Sequence, residues 1–138
     1  MNYLLDTNAC IALINEQPAA VRAHLEGALH AGAGLWLSSL SAFELWYGVG
    51  KSSRPEANAR RVAAFLAGPV RLIAFDENDA RVAGELRARL EGKGRPIGAY
   101  DLLIAGQAVA RKLTLVTANV SEFRRVEGLR WEDWATPR

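Results

Sequence analysis

Four carboxylates in this chain each lie against a hydrophobic run, and their type and placement make them the best candidates for chemistry: Asp6, Glu44, Asp101 and Glu122. Asp6 is the most informative, because it separates the apolar segment Asn2–Leu5 from a second one at Ala9–Ile14. A charge between two buried segments is costly unless something compensates for it. A divalent cation held by several acids is an effective compensation. The four acids therefore predict a metal-dependent hydrolase, in which the cation activates water against a phosphodiester.

Strands and helices are predicted to alternate along the chain, and this order positions the acids. Short apolar runs predict strands at Asn2–Leu5, Leu35–Leu37, Val70–Phe75 and Leu113–Val116, with an edge strand at Leu129–Trp131. Helical periodicity and its stop signals predict helices at Thr7–Asn15, Pro18–Ala31, Pro55–Leu66, Asn78–Glu91 and Asp101–Lys112, and another that carries Glu44. The alternation predicts an α/β fold with a central parallel sheet of four to five strands and helices on both faces.

The predicted fold brings the acids to one edge of the sheet. In parallel α/β folds, the working site lies beyond the carboxyl ends of the strands. Asp6 follows the first strand, the segment Thr117–Glu122 follows the fourth, and Glu44 lies on the helix after the second. Neighbouring polar side chains are predicted to support the site by holding its ligands or a bound water, namely Thr7, Ser38, Ser41, Thr117 and Asn119.

Each acid taken alone also has a purely structural interpretation. Asp6 and Asp101 could each be a helix N-cap, a role that Asp often takes after a strand. Glu44 could face water, and Glu122 could be an ordinary loop residue. The interpretation as a metal site therefore depends on all four acids together.

Composition limits the class of protein. The chain has 138 residues, of which 50% are hydrophobic, and this predicts a single domain over residues 1–138 with a sizeable core. Asp6 and Glu16 interrupt the early apolar region, which argues against a signal peptide or a membrane span. The lone cysteine, Cys10, cannot form an internal disulfide, so cytoplasmic residence is expected.

The charge balance is only mildly basic. A net charge of +2 permits a nucleic-acid partner without arguing strongly for one. The basic residues are locally grouped: Lys51, Arg54, Arg60 and Arg61, then Lys93 and Arg95, then Arg124 and Arg125. Each group is a solvated face unless it lies beside the acids.

The segments that carry the acids also resemble a known family. They are, in chain order, Leu4–Asn8, Ser38–Leu45, Ile97–Ala105, Leu115–Phe123 and Gly128–Trp134. Together they are similar to the motifs of the PIN-domain ribonucleases, and most closely to the VapC-type toxins of bacterial toxin–antitoxin pairs. The resemblance implies a PIN-like three-layer fold and an endoribonuclease that depends on Mg²⁺ or Mn²⁺.

The same resemblance implies a role for each acid. Asp6 and Asp101 would be the principal metal ligands, Glu44 would complete the set directly or through water, and Glu122 would be the fourth acid. Thr7 and Ser41 would support them. Many PIN domains carry Asp where Asn119 stands here, which leaves open whether Glu122 contacts the metal and whether a second metal binds.

Partners are implied as well. Such toxins act on RNA, form homodimers, and bind a small VapB-like antitoxin that places a segment across the acidic groove, in some cases within a larger assembly. Trp46, Tyr47 and the apolar face of Pro18–Ala31 are candidate contact surfaces. No membrane partner is expected.

Two other functions compete with this one. A phosphotransfer enzyme could use Asp6 as its nucleophile, but the haloacid-dehalogenase-like enzymes place a second Asp two residues later, where Asn8 stands here. A degenerate nuclease could grip RNA or its partner without cutting. The presence of all four acids disfavours that alternative.

Overall fold

A computed structural model describes residues 1–137; the last residue of the predicted domain, Arg138, lies outside the described residues. The strands are β1 (Asn2–Leu5), β2 (Gly34–Ser38), β3 (Arg71–Ile73), β4 (Thr114–Val116) and β5 (Trp131–Glu132). The helices are α1 (Thr7–Asn15), α2 (Ala19–His30), α3 (Ser39–Lys51), α4 (Pro55–Leu66), α5 (Glu77–Gly92), α6 (Ala99–Arg111) and α7 (Val120–Phe123). None of the helices within residues 1–137 has the length and apolar character needed to span a bilayer.

The five strands form one sheet in the order β3-β2-β1-β4-β5, and every neighbouring pair is parallel. Leu4 and Leu5 of β1 are both fully buried but point to opposite faces, as successive residues of a strand must. Leu5 packs in a core with side chains from α1 to α4, whereas Leu4 packs in a second core with side chains from α5 and α6. Helices therefore cover both faces, and the predicted α/β fold is confirmed.

Several predicted boundaries are wrong by one or two residues. The strand predicted at Val70–Phe75 is too long, because β3 forms hydrogen-bonded pairs with β2 over only three residues. Val70 is buried but lies outside that pairing. Helix α6 begins at Ala99 with Gly98 as its N-cap, so Asp101 lies in the first turn rather than at the cap. The short helix α7 was not predicted, since four residues show no helical period.

Helices α5 and α6 pack unusually closely on one face of the sheet. A methyl group at Gly106 of α6 would meet the Cβ atom of Ala83 of α5 at 2.5 Å and its Cα atom at 2.6 Å. The same interface contains the buried carboxylate of Asp79, which accepts hydrogen bonds from Arg111 and Gln107 of α6 at 3.0 Å each. These contacts fix the position of α6, the helix that carries Asp101.

Replacing Asp79 by asparagine is expected to destabilise the fold by about 1–2 kcal/mol at pH 7, since a charge-assisted hydrogen-bond network is weakened. Burial alone would raise the pKa of Asp79, but the bonds from Arg111, Asp76 and Gln107 outweigh it and hold that pKa below its usual range. This contribution is complete above the unfolded pKa of about 4 and is lost as pH falls through the lower folded value. The free energy of unfolding, measured with urea from pH 7 to pH 2, should therefore fall less steeply with decreasing pH in Asp79→Asn than in the unaltered chain.

The control for this prediction is Glu85→Gln, which removes an exposed carboxylate paired with Arg81 on the same helix. Exposed pairs contribute little to stability, so the free energy of unfolding of Glu85→Gln should depend on pH as it does in the unaltered chain. An Asp79→Asn profile parallel to that of the unaltered chain would contradict the role assigned to Asp79.

Candidate active site

The candidate site lies between β1 and β4, where the direction of the strand order reverses. From β1 the chain adds β2 and β3 on one side of the sheet, and then β4 and β5 on the other. Leu5 pairs with both Leu37 and Val116, so the residues that follow these three emerge side by side at the carboxyl edge. The backbone N–H of Asp6 donates to the Val116 carbonyl at 3.0 Å. Such a reversal opens a crevice at the carboxyl ends of the strands.

Asp6 is the most buried of the four acids, with 4% of its surface exposed. It is the N-cap of α1, and its Oδ1 atom accepts a hydrogen bond from the Ala9 N–H at 2.7 Å. Burial raises the pKa of Asp6, and the charges of Glu44 and Asp133 raise it further, while hydrogen bonds from Thr117 and Ala9 oppose the rise. Capping therefore occupies one oxygen of Asp6 without explaining its buried charge.

Glu44 contacts one hydroxyl group, that of Thr7, which in turn contacts the hydroxyl group of Ser41. The Thr7 Oγ1 atom of α1 lies 2.6 Å from Glu44 Oε1 and 3.0 Å from Ser41 Oγ of α3. An ionised carboxylate can only accept, so the Thr7 hydroxyl donates to Glu44 and accepts from Ser41. Ser38, rather than Ser41, caps α3, and its hydroxyl accepts from the Leu40 N–H at 3.1 Å. Thr7 thus orients Glu44, and Ser41 orients Thr7; their supporting role in a metal site stays a prediction.

Asp101 and Glu122 form a second group, joined by Asn119. The Asn119 side-chain amide donates to Asp101 Oδ2 at 3.2 Å and to Glu122 Oε2 at 2.5 Å. The Gly98 N–H donates to Glu122 Oε1 at 3.0 Å. Burial, followed by the contact with Glu122 and its charge, raises the pKa of Asp101 to about 6, whereas Asn119 and Gly98 lower the pKa of Glu122. The two carboxyl groups therefore act on each other, and Asp101 is the one that is harder to ionise.

The Asn119→Ala substitution is expected to raise the apparent pKa values of both carboxyl groups. Asn119 stabilises the charged form of Asp101 and of Glu122, so its removal favours the protonated forms. A pH titration of the metal-free protein, followed by NMR of the side-chain carboxyl carbons, measures both values. Ser121→Ala is the matched control, because the Ser121 hydroxyl donates to the Asn119 side-chain oxygen, at 3.5 Å, and not to either carboxylate. Equal titration curves for the two variants would contradict this role of Asn119.

Sequence reasoning missed Asp133 as a neighbour of the site. Its charge raises the pKa of Asp6. The register of the edge strand explains its position: Val116 pairs with Glu132, so Asp133 follows β5 at the same carboxyl edge as Thr117. A correct assignment of β5 to Trp131–Glu132, instead of the predicted Leu129–Trp131, would have placed Asp133 there.

The acids are assembled at one edge but not yet arranged as metal ligands. Within residues 1–137, no three His, Cys, Asp or Glu side chains lie close enough together to hold a metal ion, and no salt bridge there involves any of the four acids. The charge of Asp6 nevertheless acts on Asp101, and that of Glu44 acts on Asp6. The donors are all hard carboxylate, hydroxyl and amide oxygens, a set that suits Mg²⁺ or Mn²⁺ better than a soft metal.

Exposed aromatic side chains border the site on α3 and α6. Phe43 lies 6.4 Å from Tyr47 and 6.0 Å from Tyr100, measured between ring centroids. Trp46 and Tyr47 are 43% and 58% exposed, so both are accessible, and their role as a contact surface stays a prediction. The apolar face of α2 is different, because its residues Val21 and Leu25 are buried in the core.

Comparisons with known proteins extend over this whole region. Residues 3–129 match the family described as PIN domain. A tRNA(fMet)-specific endonuclease VapC from Shigella flexneri is 41% identical over 135 residues, covering 98% of this chain and 99% of that relative. Ribonuclease VapC2 from Rickettsia felis is 42% identical over 134 residues, covering 97% and 98%. The crystal structure of VapBC2 from Rickettsia felis, bound to a DNA fragment from its promoter, has a TM-score of 0.90 at 40% identity, covering 97% of this chain and 99% of that chain.

Proposed function

The chain belongs to the PIN-domain family and, within it, to the VapC ribonucleases, and from this premise we propose that it is a metal-dependent endoribonuclease. It acts as the toxin of a toxin–antitoxin pair and hydrolyses RNA phosphodiester bonds. The observation that carries the proposal is that four acids from four separate segments lie at one edge of the sheet, where the charge of Glu44 acts on Asp6 and the charges of Glu122 and Asp6 act on Asp101. A structural role for each acid alone does not account for that arrangement.

The buried charge of Asp6 supports a cation at this crevice. Asp6 and Asp101 are both harder to ionise than an ordinary aspartate, and no Lys or Arg forms a salt bridge with either within residues 1–137. Mg²⁺ or Mn²⁺ held by Asp6, Asp101 and Glu44 would compensate both charges. When bound, the cation would supply the activation of water and the screening of the phosphate charge.

The remaining side chains have supporting roles in this proposal. Thr7, held by Ser41, orients Glu44, and Thr117 helps to keep Asp6 ionised by lowering its pKa. Asn119 holds Glu122 beside Asp101, so Glu122 acts through hydrogen bonds to the other groups or contacts the cation directly.

The partners follow from the same membership. The Rickettsia felis relative was crystallised as a toxin–antitoxin complex on promoter DNA, and the Shigella relative is named for its action on tRNA(fMet). We propose that this chain pairs with a small antitoxin, acts in the cytoplasm and forms a homodimer. The exposed aromatics Phe43, Trp46 and Tyr47 of α3 offer an apolar surface suited to a protein contact.

The proposal is tested by incubating the purified chain with cellular RNA in Mg²⁺, in Mn²⁺ and in EDTA. Cleavage is expected with either cation and not with EDTA, and addition of excess Mg²⁺ to the EDTA sample should restore it. Discrete internal fragments, mapped at their ends, would identify an endonuclease. Full cleavage in EDTA, or no cleavage of any RNA with either cation, would refute the proposal.

A further inference from the structure

A group of cations lies on the surface formed by the end of α5 and the segment after α7, and one of them, Arg125, acts on Glu122. Arg89 and Lys93 at the end of α5 and Arg125 after α7 line one shallow depression, together with the carboxylate of Glu127. These three cations are called the basic strip. Arg89 and Lys93 are exposed, and Arg125 is partly buried.

The basic strip is connected to the candidate site by a short chain of contacts. Arg125 donates from Nη1 to the Pro96 carbonyl at 3.0 Å, which ties α7 to the loop before α6. Two residues beyond Pro96, the Gly98 N–H donates to Glu122. The charge of Arg125 also acts on Glu122, helping to lower its pKa. The strip therefore begins at the edge of the acid cluster.

The charge of the strip is not neutralised by its own surroundings. Within the depression the three cations share one carboxylate, Glu127, whose bond to Lys93 is 3.1 Å long, and Arg125 also faces Glu122 of the acid cluster. Both side chains of that pair are more than half exposed, at 57% for Lys93 and 73% for Glu127. Pairs of this kind are weak and exchange readily with other ions. The depression can therefore accept further negative charge.

We infer that the basic strip binds the phosphates of a single-stranded RNA segment next to the bond that is cut. This inference rests on the proposed ribonuclease function. The acid cluster repels every phosphate of the substrate, whereas cleavage requires one phosphate to lie against it. Cations immediately beside the acids hold the neighbouring phosphates and so position the strand, while carrying no sequence information.

The test measures RNA binding separately from RNA cleavage. All variants carry Asp101→Asn and are kept in EDTA, so that the RNA stays intact. The probe is a fluorescently labelled single strand of about 12 nucleotides, a length typical of single-strand binding sites. Its Kd is measured by anisotropy between about 50 and 200 mM KCl, because the slope of log K against log salt counts the phosphates neutralised.

The strip variant is Arg89→Gln/Lys93→Gln, and the control is Arg60→Gln/Lys112→Gln. Both remove two exposed cations. Lys112 lies at the opposite end of α6 from Asp101, about 16 Å away along the helix axis at 1.5 Å per residue. The strip variant should bind about tenfold more weakly and lose about 1.4 from the salt slope, at roughly 0.7 per phosphate contact on a single strand. The control should change neither value beyond about twofold, because distant exposed charges are screened.

The inference is overturned if the strip variant keeps the salt slope, or if both double variants weaken binding equally. The outcome is independent of catalysis. If the chain binds RNA through the basic strip but never cleaves it, the proposed function is refuted and the inference about the strip still holds. If the chain cleaves RNA but the strip variant binds RNA normally, the proposed function is supported and the inference about the strip is refuted.

Discussion

Asp6→Asn and Asp101→Asn are each expected to lower RNA cleavage by about 10²–10³-fold and to leave the fold intact. Each substitution removes a charge from the proposed cation site, whose contribution to the transition state amounts to several kcal/mol, and each 1.4 kcal/mol changes the rate tenfold. Asparagine preserves the shape of the side chain. It also caps a helix as well as aspartate does, so Asp6→Asn keeps the N-cap of α1.

The stability of these variants distinguishes a functional site from a structural one. Burial raises the pKa of Asp6, and burial with the nearby Glu122 raises that of Asp101, so both charges oppose folding of the metal-free protein near neutral pH. Removing either charge should therefore leave the free energy of unfolding unchanged or higher. For Asp101 the loss of a favourable acid from the first turn of α6 partly offsets this gain.

Urea unfolding in metal-free buffer at pH 7 and cleavage rates in Mg²⁺ measure the two effects. Glu56→Gln is the matched control, since Glu56 is also an acid in the first turn of a helix but lies on the exposed side of α4. Its cleavage rate should equal that of the unaltered chain. Asn variants that lose activity because they unfold would contradict the assignment, and so would variants that cut RNA at full rate.

The parts of the site that depend on local sequence were predictable. Asp6 was identified because an acid between two apolar segments can be recognised from the sequence alone. The strand before it and the helix after it lie where they were predicted. Glu44 and Asp101 were placed on the correct helices for a similar reason. Parallel pairing then brings such residues to one edge, since strand ends in a parallel sheet share a direction.

The parts that depend on contacts between distant segments were not predictable. Asn119 bridges Asp101 and Glu122 because α7 docks against the start of α6, and a helix as short as Val120–Phe123 leaves no periodic signal. Fully buried Phe123 anchors that helix in the core, but one aromatic residue does not reveal which element it will meet. The hydrogen bond from Arg125 to the Pro96 carbonyl also joins distant segments, so nothing in the sequence indicated it.

Gly106→Ala is expected to destabilise the fold by about 3 kcal/mol, at the upper end of the range for overpacked cores. The added methyl group would lie 2.5 Å from the Cβ atom of Ala83, 2.6 Å from its Cα and 2.9 Å from its backbone nitrogen. Backbone atoms cannot rotate away as a side chain can, so α5 must move relative to α6. This cost exceeds the roughly 1 kcal/mol that alanine gains over glycine in a helix.

Gly84→Ala provides the control, because Gly84 neighbours Ala83 on α5 and a methyl group there meets nothing within 4 Å. It should stabilise the protein by up to about 1 kcal/mol through helix propensity alone. Urea unfolding measures the change in the free energy of unfolding for each glycine substitution. Changes of opposite sign would show that close packing at Gly106 outweighs the gain in helix propensity. Equal effects would exclude the close contact between α5 and α6.

The exchange of the two residues, Ala83→Gly with Gly106→Ala, tests the contact itself. Ala83→Gly alone should cost about 1–2 kcal/mol, from helix propensity and the loss of a buried methyl group. In the double variant the 2.5 Å contact between the two methyl groups is gone, whereas the contacts with the Cα and backbone nitrogen of residue 83 remain, so the combined cost should fall about 1 kcal/mol below the sum. Cleavage should recover in part, because α5 and α6 then shift less and Asp101 stays nearer to Asn119 and Glu122. Strict additivity of the two costs would mean that the helices do not meet at these residues.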